Sequence, residues 1–423
     1  MKPLLFVISC VFILAACNSH DQASNPLNVK VVDAQGQGIA NATVVMGTQG
    51  GALVSFLSTN ARGEAYFALA PSNATVTAAF SCYAPSENRT YYSLDVAYDV
   101  NTSAVALTLG ACTQNTDQVN INVTDAIAGI TSHDVTLGPI TYGGDSPTMD
   151  VAWSLQDDGK VSVFATGYDD AGAIKGYGFA LDRPPTAGSA IGVVIDRTDL
   201  VRHTHRLANV PLSAVSYYAF APLLRKHAAT SLPFNFLGGS APLPDTVTTY
   251  SAGSFSDNNM FGVTVTLDQD GDGSEDATVG LVRYLYNPSD QLFDFSAVPV
   301  VPATLTYDPG TAGRPIISWS NKDPLATVQM LSFSYRANSP QRVSFYYSMT
   351  VPAAAANLVY PELPDILANF RPAAYSNLSL QTLKFGGLVS YKNYLQATAN
   401  YNGRFYEAEG LSSYSYASIS RLP

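Results

Sequence analysis

The chain has 423 residues, of which 13% are charged, with 33 Asp and Glu against 22 Lys and Arg and a formal net charge of −11 at pH 7. That acidity excludes nucleic acid as the partner, because phosphate binding needs clustered Lys and Arg. The length exceeds a single core and predicts two or three domains, while 25 tyrosines among many Val, Thr, Ser and Gly residues predict an all-β fold.

Lys2 precedes an apolar run from Leu4 to Leu14, and small residues follow in Leu14-Ala15-Ala16-Cys17. A run of about a dozen apolar residues is too short to span a bilayer, which takes about 20. With small residues at its end it reads as a cleaved export signal. The last four residues resemble a bacterial lipobox. The resemblance implies a signal peptide over 1–17 and a lipidated Cys17 that becomes the first residue of an exported, membrane-tethered protein. Asn18 stands where lipoproteins retained at the inner membrane carry Asp, which implies the outer membrane. Residues 18–26 are polar and aperiodic and read as a flexible tether.

From Asn28 to Val45 the chain reads strand, glycine-bearing turn, strand, and Ser58 to Phe67 repeats that logic around Asn60 to Gly63. Val76–Phe80, Tyr91–Ala97 and Ala104–Leu109 read as further strands. The blocks Val29, Val31, Asp33, Gly36, Ile39, Asn41, Ala42, Val44 and Thr59, Asn60, Gly63, Ala65, Phe67 resemble carboxypeptidase-regulatory-like and bacterial Ig-like modules. That implies a β-sandwich over 27–112 serving as spacer, stiffener or adhesive unit. With Cys10 in the leader and Cys17 the lipidation site, Cys82 and Cys112 are the cysteines of the folded part, and in an exported protein such a pair predicts a disulfide. It would close a loop of about 30 residues and stabilise by roughly 3 to 4 kcal/mol in the loop-entropy account.

Residues 113–302 and 303–423 read as a larger β-sandwich region of one or two domains. Val151 to Leu181 predicts a meander turning at Asp157-Asp158-Gly159 and at Asp169 to Gly172. Hairpins are expected for Val328–Arg336 with Arg342–Val351, and for Tyr394–Tyr401 with Arg404–Gly410 closed by Asn402-Gly403. Leu411 to Ser420 reads as a terminal strand. Helix is expected only at Leu212–His227 and Pro364–Phe370, and the cluster Arg225-Lys226-His227 as a helix end or solvated patch.

Asp268-Gln-Asp270-Gly-Asp272-Gly273-Ser274-Glu-Asp276 matches the front of a calcium loop. Alternate carboxylates converge on one ion, Gly273 permits the sharp turn, and Ser274 offers a backbone carbonyl. Val279 occupies the position of the bidentate Glu of an EF-hand, and both flanks read as strands. A structural Ca2+ in a strand-loop-strand setting is therefore expected, held by Asp268, Asp270, Asp272, Ser274 and Asp276. His203 and His205 share one strand face, a zinc-compatible geometry without a third ligand. Nucleophile, zinc-protease and phosphate-loop motifs are missing from the sequence.

The expected role is non-catalytic binding or scaffolding at the outer membrane, through the lipid anchor, with a glycan or an envelope protein as partner. Tyr217, Tyr218, Tyr346, Tyr347, Tyr391, Tyr394, Tyr401, Tyr406, Tyr414 and Tyr416 are candidate sugar-stacking residues. The alternative is a polysaccharide-acting enzyme whose catalytic carboxylates are unidentified, recognisable by a carboxylate pair about 5 to 10 Å apart in a cleft.

Overall fold

The computed structural model describes residues 25–421 except 34–35, 85–87, 111–117, 138–139, 145, 147, 153–159, 185–189, 222, 225–230, 233–235, 253–257, 286–287, 312–313, 321–322, 338–341, 372–374 and 406–407. The described residues are overwhelmingly strand, so the protein is all-β. Among them no helix is long and apolar enough to cross a membrane.

The first seven strands are β1 (Asn25–Val32), β2 (Thr43–Gly47), β3 (Leu53–Ser58), β4 (Glu64–Ala70), β5 (Ala74–Ala84), β6 (Arg89–Val100) and β7 (Ala104–Thr108). They form two layers, β4-β1-β7 over β3-β2-β5-β6. Alternation buries Val29, Val31, Val44, Phe67, Val76 and Leu107 between them. Gly63 adopts φ +77° and packs so closely that a Cβ would collide with the Val31 carbonyl. This is the sandwich expected for 27–112.

It is not a separate unit. β6 pairs in parallel with Val343–Pro352, and the sheet runs on through Val328–Ala337, Asn377–Gly386, Ser413–Arg421, Ala277–Leu285 and Asn258–Leu267. Among the described residues, fourteen strands drawn from all three expected domains share this one sheet. The separations expected at 112/113 and 302/303 are therefore bridged by backbone hydrogen bonds. Residues 118–195, in contrast, build two sheets of their own around Ile121, Val135, Val163 and Val193.

Several local expectations change. Val328–Ala337 and Val343–Pro352 form the antiparallel hairpin, and the Asp169 turn closes through Gly172 N–H to Asp169 O at 2.9 Å. The strand Thr148–Ala152, however, pairs with Gln118–Asp125 and not with Val161–Tyr168. Within Leu212–His227, Ala214–Phe220 is a strand between two partners, because cross-strand pairing outweighs local helical spacing. Arg225-Lys226-His227 and the Asp157 turn lie outside the described residues.

The largest correction is at Asn402-Gly403. Both residues have positive φ, +52° and +83°, as a type I′ turn requires. They instead end a helix, α1 (Tyr391–Asn400), with Gly403 N–H bonding to Thr398 O at 2.7 Å. Ser390 caps its start. Tyr394 and Leu395 bury into the core, and the Tyr391 hydroxyl donates to Tyr98 O at 2.7 Å. Tertiary packing selects helix here over hairpin.

Candidate functional site

The acidic loop sits between the antiparallel strands Asn258–Leu267 and Ala277–Leu285, closed by Asp276 N–H to Leu267 O at 2.9 Å. Asp268 accepts from Gly271 N at 2.7 Å and from Gly273 N at 3.0 Å, while Asp276 accepts from Gln269 N at 2.7 Å. Gly271 and Gly273 have φ of +79° and +90° and let the chain wrap around the carboxylates. One oxygen from each of Asp268, Asp270 and Asp276 lies within 4.8 Å of the other two. Hard oxygen donors at this spacing suit calcium. Asp272 stands outside that trio. Its carboxylate accepts from the Ser274 hydroxyl and from Ser274 N, bonds that hold it below the usual carboxylate range. The expected ligand set is thus only partly assembled, because a neighbouring hydroxyl takes the third aspartate.

A second constellation arises where the N- and C-terminal parts meet. Parallel pairing sets Ser93 of β6 against Tyr346 and Asp95 against Ser348. Antiparallel pairing then sets Ser332 against Ser348, Ser334 against Tyr346, Ser379 against Ser332 and Asn377 against Ser334. Paired residues share a sheet face, so hydroxyls from four strands line up on one side. On the reverse face Leu94, Leu331, Phe333, Tyr347 and Leu378 are buried. Lower on the hydroxyl side Val328, Leu383 and Phe385 pack with α1, so the same face is apolar where covered and bears serines among apolar groups where open.

The open part is a groove of about 360 Å³ bounded by Thr108 and Gly110. Tyr346 stays 37% exposed, its ring stacked on Tyr91 at 6.2 Å with 18° between planes. Beneath lies Asp95, whose carboxylate accepts from Thr108 N at 2.7 Å, from the Ser348 hydroxyl and from Val96 N. Burial pushes its pKa up to about 6 against those hydrogen bonds. The Leu331-Ser-Phe-Ser334 alternation signals this face in the sequence, but its pairing with β6 has no local signal.

Of the candidate tyrosines, Tyr346 lines this groove and Tyr218 is exposed elsewhere. Tyr347 and Tyr394 are core residues, and Tyr217, Tyr391, Tyr401, Tyr414 and Tyr416 pack against hydrophobic clusters. Tyr406 lies outside the described residues.

His203 and His205 do share a face, but it is the inner one. They are buried against Phe261, with Nε2 atoms 2.8 Å from Ser251 Oγ and 2.6 Å from Thr249 Oγ1. Gln291 N donates to His205 Nδ1 at 3.1 Å, so both ring nitrogens of His205 are occupied. Burial lowers both pKa values, that of His205 to about 4. Both imidazoles are thus engaged with core hydroxyls, and among the described residues no third metal ligand converges on them.

Cys82, near the end of β5, is disulfide-bonded. Cys112, its expected partner, lies outside the described residues, as does Cys17. Besides the hydroxyl groove there are cavities of about 210 Å³ beside Tyr98 and Asp99 and about 260 Å³ beside Asn25 and Ala70. Among the described residues, none of the three has two carboxylates on its wall.

No protein-family model and no curated protein matches the chain. Among solved structures it is similar to the Bacillus anthracis TIE protein, at 8% identity and a TM-score of 0.17, over 64% of this chain and 49% of that one. The chain thus spans about half the length of that protein. It is also similar to the FN1–FN3 domains of chicken CNTN1, at 12% identity and a TM-score of 0.15, over 66% of this chain and 88% of that one. Neither likeness carries an argument about function.

Proposed function

We propose that this is a non-catalytic binding protein of the bacterial cell envelope, anchored to the outer membrane through a lipidated Cys17, whose ligand is a neutral glycan. The observation that carries the reading is the groove at Tyr346. An aromatic ring at the mouth of a cavity lined by Ser93, Ser332, Ser334, Ser348 and Asn377 offers stacking area and many neutral hydrogen-bonding groups. Sugar rings present an apolar face and a hydroxyl rim, which matches that combination. Among the described residues the wall carries no charged side chain, which favours a neutral ligand.

The other parts serve this role mechanically. Calcium at Asp268, Asp270 and Asp276 would tie both ends of the loop and stiffen the hairpin. Calcium binding there requires only weak affinity, since calcium outside the cytoplasm is millimolar. A Cys82–Cys112 bridge would brace the N-terminal sandwich beside the groove.

The test is a neutral-glycan array probed with the full chain and with Tyr346→Ala. Specific binding lost in the variant supports the reading. No glycan bound by the parent, or binding unchanged by Tyr346→Ala, rejects it.

A further inference from the structure

We propose that Asp95 is the positioning residue of the groove, fixing which way the Ser348 hydroxyl points and thereby selecting ligands that donate a hydroxyl hydrogen at that position. This rests on the glycan reading of the groove.

The argument begins with hydrogen-bond direction. An ionised carboxylate only accepts, so the Ser348 hydroxyl in contact with Asp95 must donate its single hydrogen inward. Ser348 Oγ then has lone pairs alone to offer the groove that it lines. Thr108 N–H is committed to the same carboxylate at 2.7 Å, which holds the group in place. Asp95 itself is 8% exposed and does not line the groove, so it acts through Ser348 and touches no ligand.

Protonation reverses the geometry. A neutral carboxylic acid can donate to Ser348 Oγ, which frees the serine hydrogen to point into the groove and removes an acceptor from the ligand's side. Burial places this change near pH 6. Facing Asp95 are Ala78 from β5, Ser348 from Val343–Pro352, Thr108 from β7, and Tyr391 and Tyr394 from α1. Both tyrosine hydroxyls are pushed above their ordinary range and stay neutral, so none of these groups changes charge between about pH 4.5 and 8.

The experiment measures affinity of the full chain for immobilised neutral hexasaccharides of glucose, mannose and N-acetylglucosamine between pH 5 and 7.5. The parent should weaken by about tenfold on acidification, the effect of one well-placed hydrogen bond. Asp95→Asn, whose amide donates where the carboxylate accepted, should bind about tenfold more weakly at pH 7.5 and show a flat profile. Ser348→Ala should be flat as well, and it serves alone if Asp95→Asn does not fold. Asp95→Glu should regain a pH-dependent profile, which a merely structural role would not produce. A parent profile flat across this range, or Asp95→Asn retaining the parent slope, overturns the role of Asp95 and leaves the glycan reading standing. A parent that binds none of the probes at any pH overturns both.

Discussion

Lys30 Nζ donates to Asn402 Oδ1 over 2.7 Å, joining the first strand of the N-terminal sandwich to the turn after α1, 372 residues away. The contact is one of several across the expected domain boundary. Arg314 donates to Gly50 O at 3.0 Å, Glu362 N to Gly51 O at 2.8 Å, and Tyr391 to Tyr98 O. With the parallel pairing of β6, they make the N-terminal sandwich an integral part of the larger fold.

A fragment covering residues 25–112 should therefore not fold cooperatively. It would leave the whole β6 edge unpaired, from Thr90 to Ala97, and would uncover the part of the Val76 and Leu107 cluster that α1 shields. Thermal unfolding and amide dispersion of the fragment check this. A sharp transition with well-dispersed amides would show that the sandwich is autonomous.

Calcium should raise the melting temperature of the full chain, by an amount equivalent to about 2.7 kcal/mol at a hundredfold excess over Kd. Asp270→Ala should abolish the rise, because Asp270 belongs to the converging trio. Asp272→Ala should retain most of it, since that carboxylate is occupied by Ser274. Equal loss in both variants would mean that Asp272 swings into the site, and no calcium response in the parent would remove the ion altogether.

The pH dependence of stability has two opposed contributions. His203 and His205 are held neutral by burial, so below the unfolded value of about 6.5 the unfolded chain binds protons that the fold refuses. Stability therefore falls as pH drops from about 6.5, and for His205 the loss is complete near pH 4. Asp95 works the other way. Its pKa rises from 3.8 to about 6, so between those values the fold binds a proton that the unfolded chain releases. Acidification through pH 6 then stabilises. Asp95→Asn should melt higher than the parent at pH 7.5, with the gap closing by pH 4, as expected where a binding site carries a stability cost. Melting scans of parent, Asp95→Asn and His205→Asn across this range separate the two; a lower melting point for Asp95→Asn at pH 7.5 would contradict the burial argument.

Replacing Cys17 with Ser should release the protein from membrane fractions, since one or more acyl chains are the anchor assigned to it. Sedimentation with membranes unchanged by the substitution would reject lipidation. Non-reducing peptide mapping should recover Cys82 joined to Cys112, and recovery of Cys112 as a free thiol would reject that pairing.

Period-two alternation made most strands legible, because which residues share a face depends only on neighbours two positions apart. Leu331-Ser-Phe-Ser334 and Tyr414 to Ile419 already separate an inner from an outer side. Positive φ at Asn402 and Gly403 was legible for the same local reason, since a short polar side chain and a missing Cβ favour it. The element that this pair terminates was not legible. Burial of Tyr394 and Leu395 against Phe385 decided for a helix, and those partners are assembled only in the folded core. The groove is the fullest case. Alternation along single strands puts serines on one face, but pairing β6 with a strand about 250 residues further on is a tertiary event with no trace in local pattern. Only that pairing brings Asp95 under Ser348 and Tyr346 beside Ser93, and so turns separate polar-faced strands into a candidate binding surface.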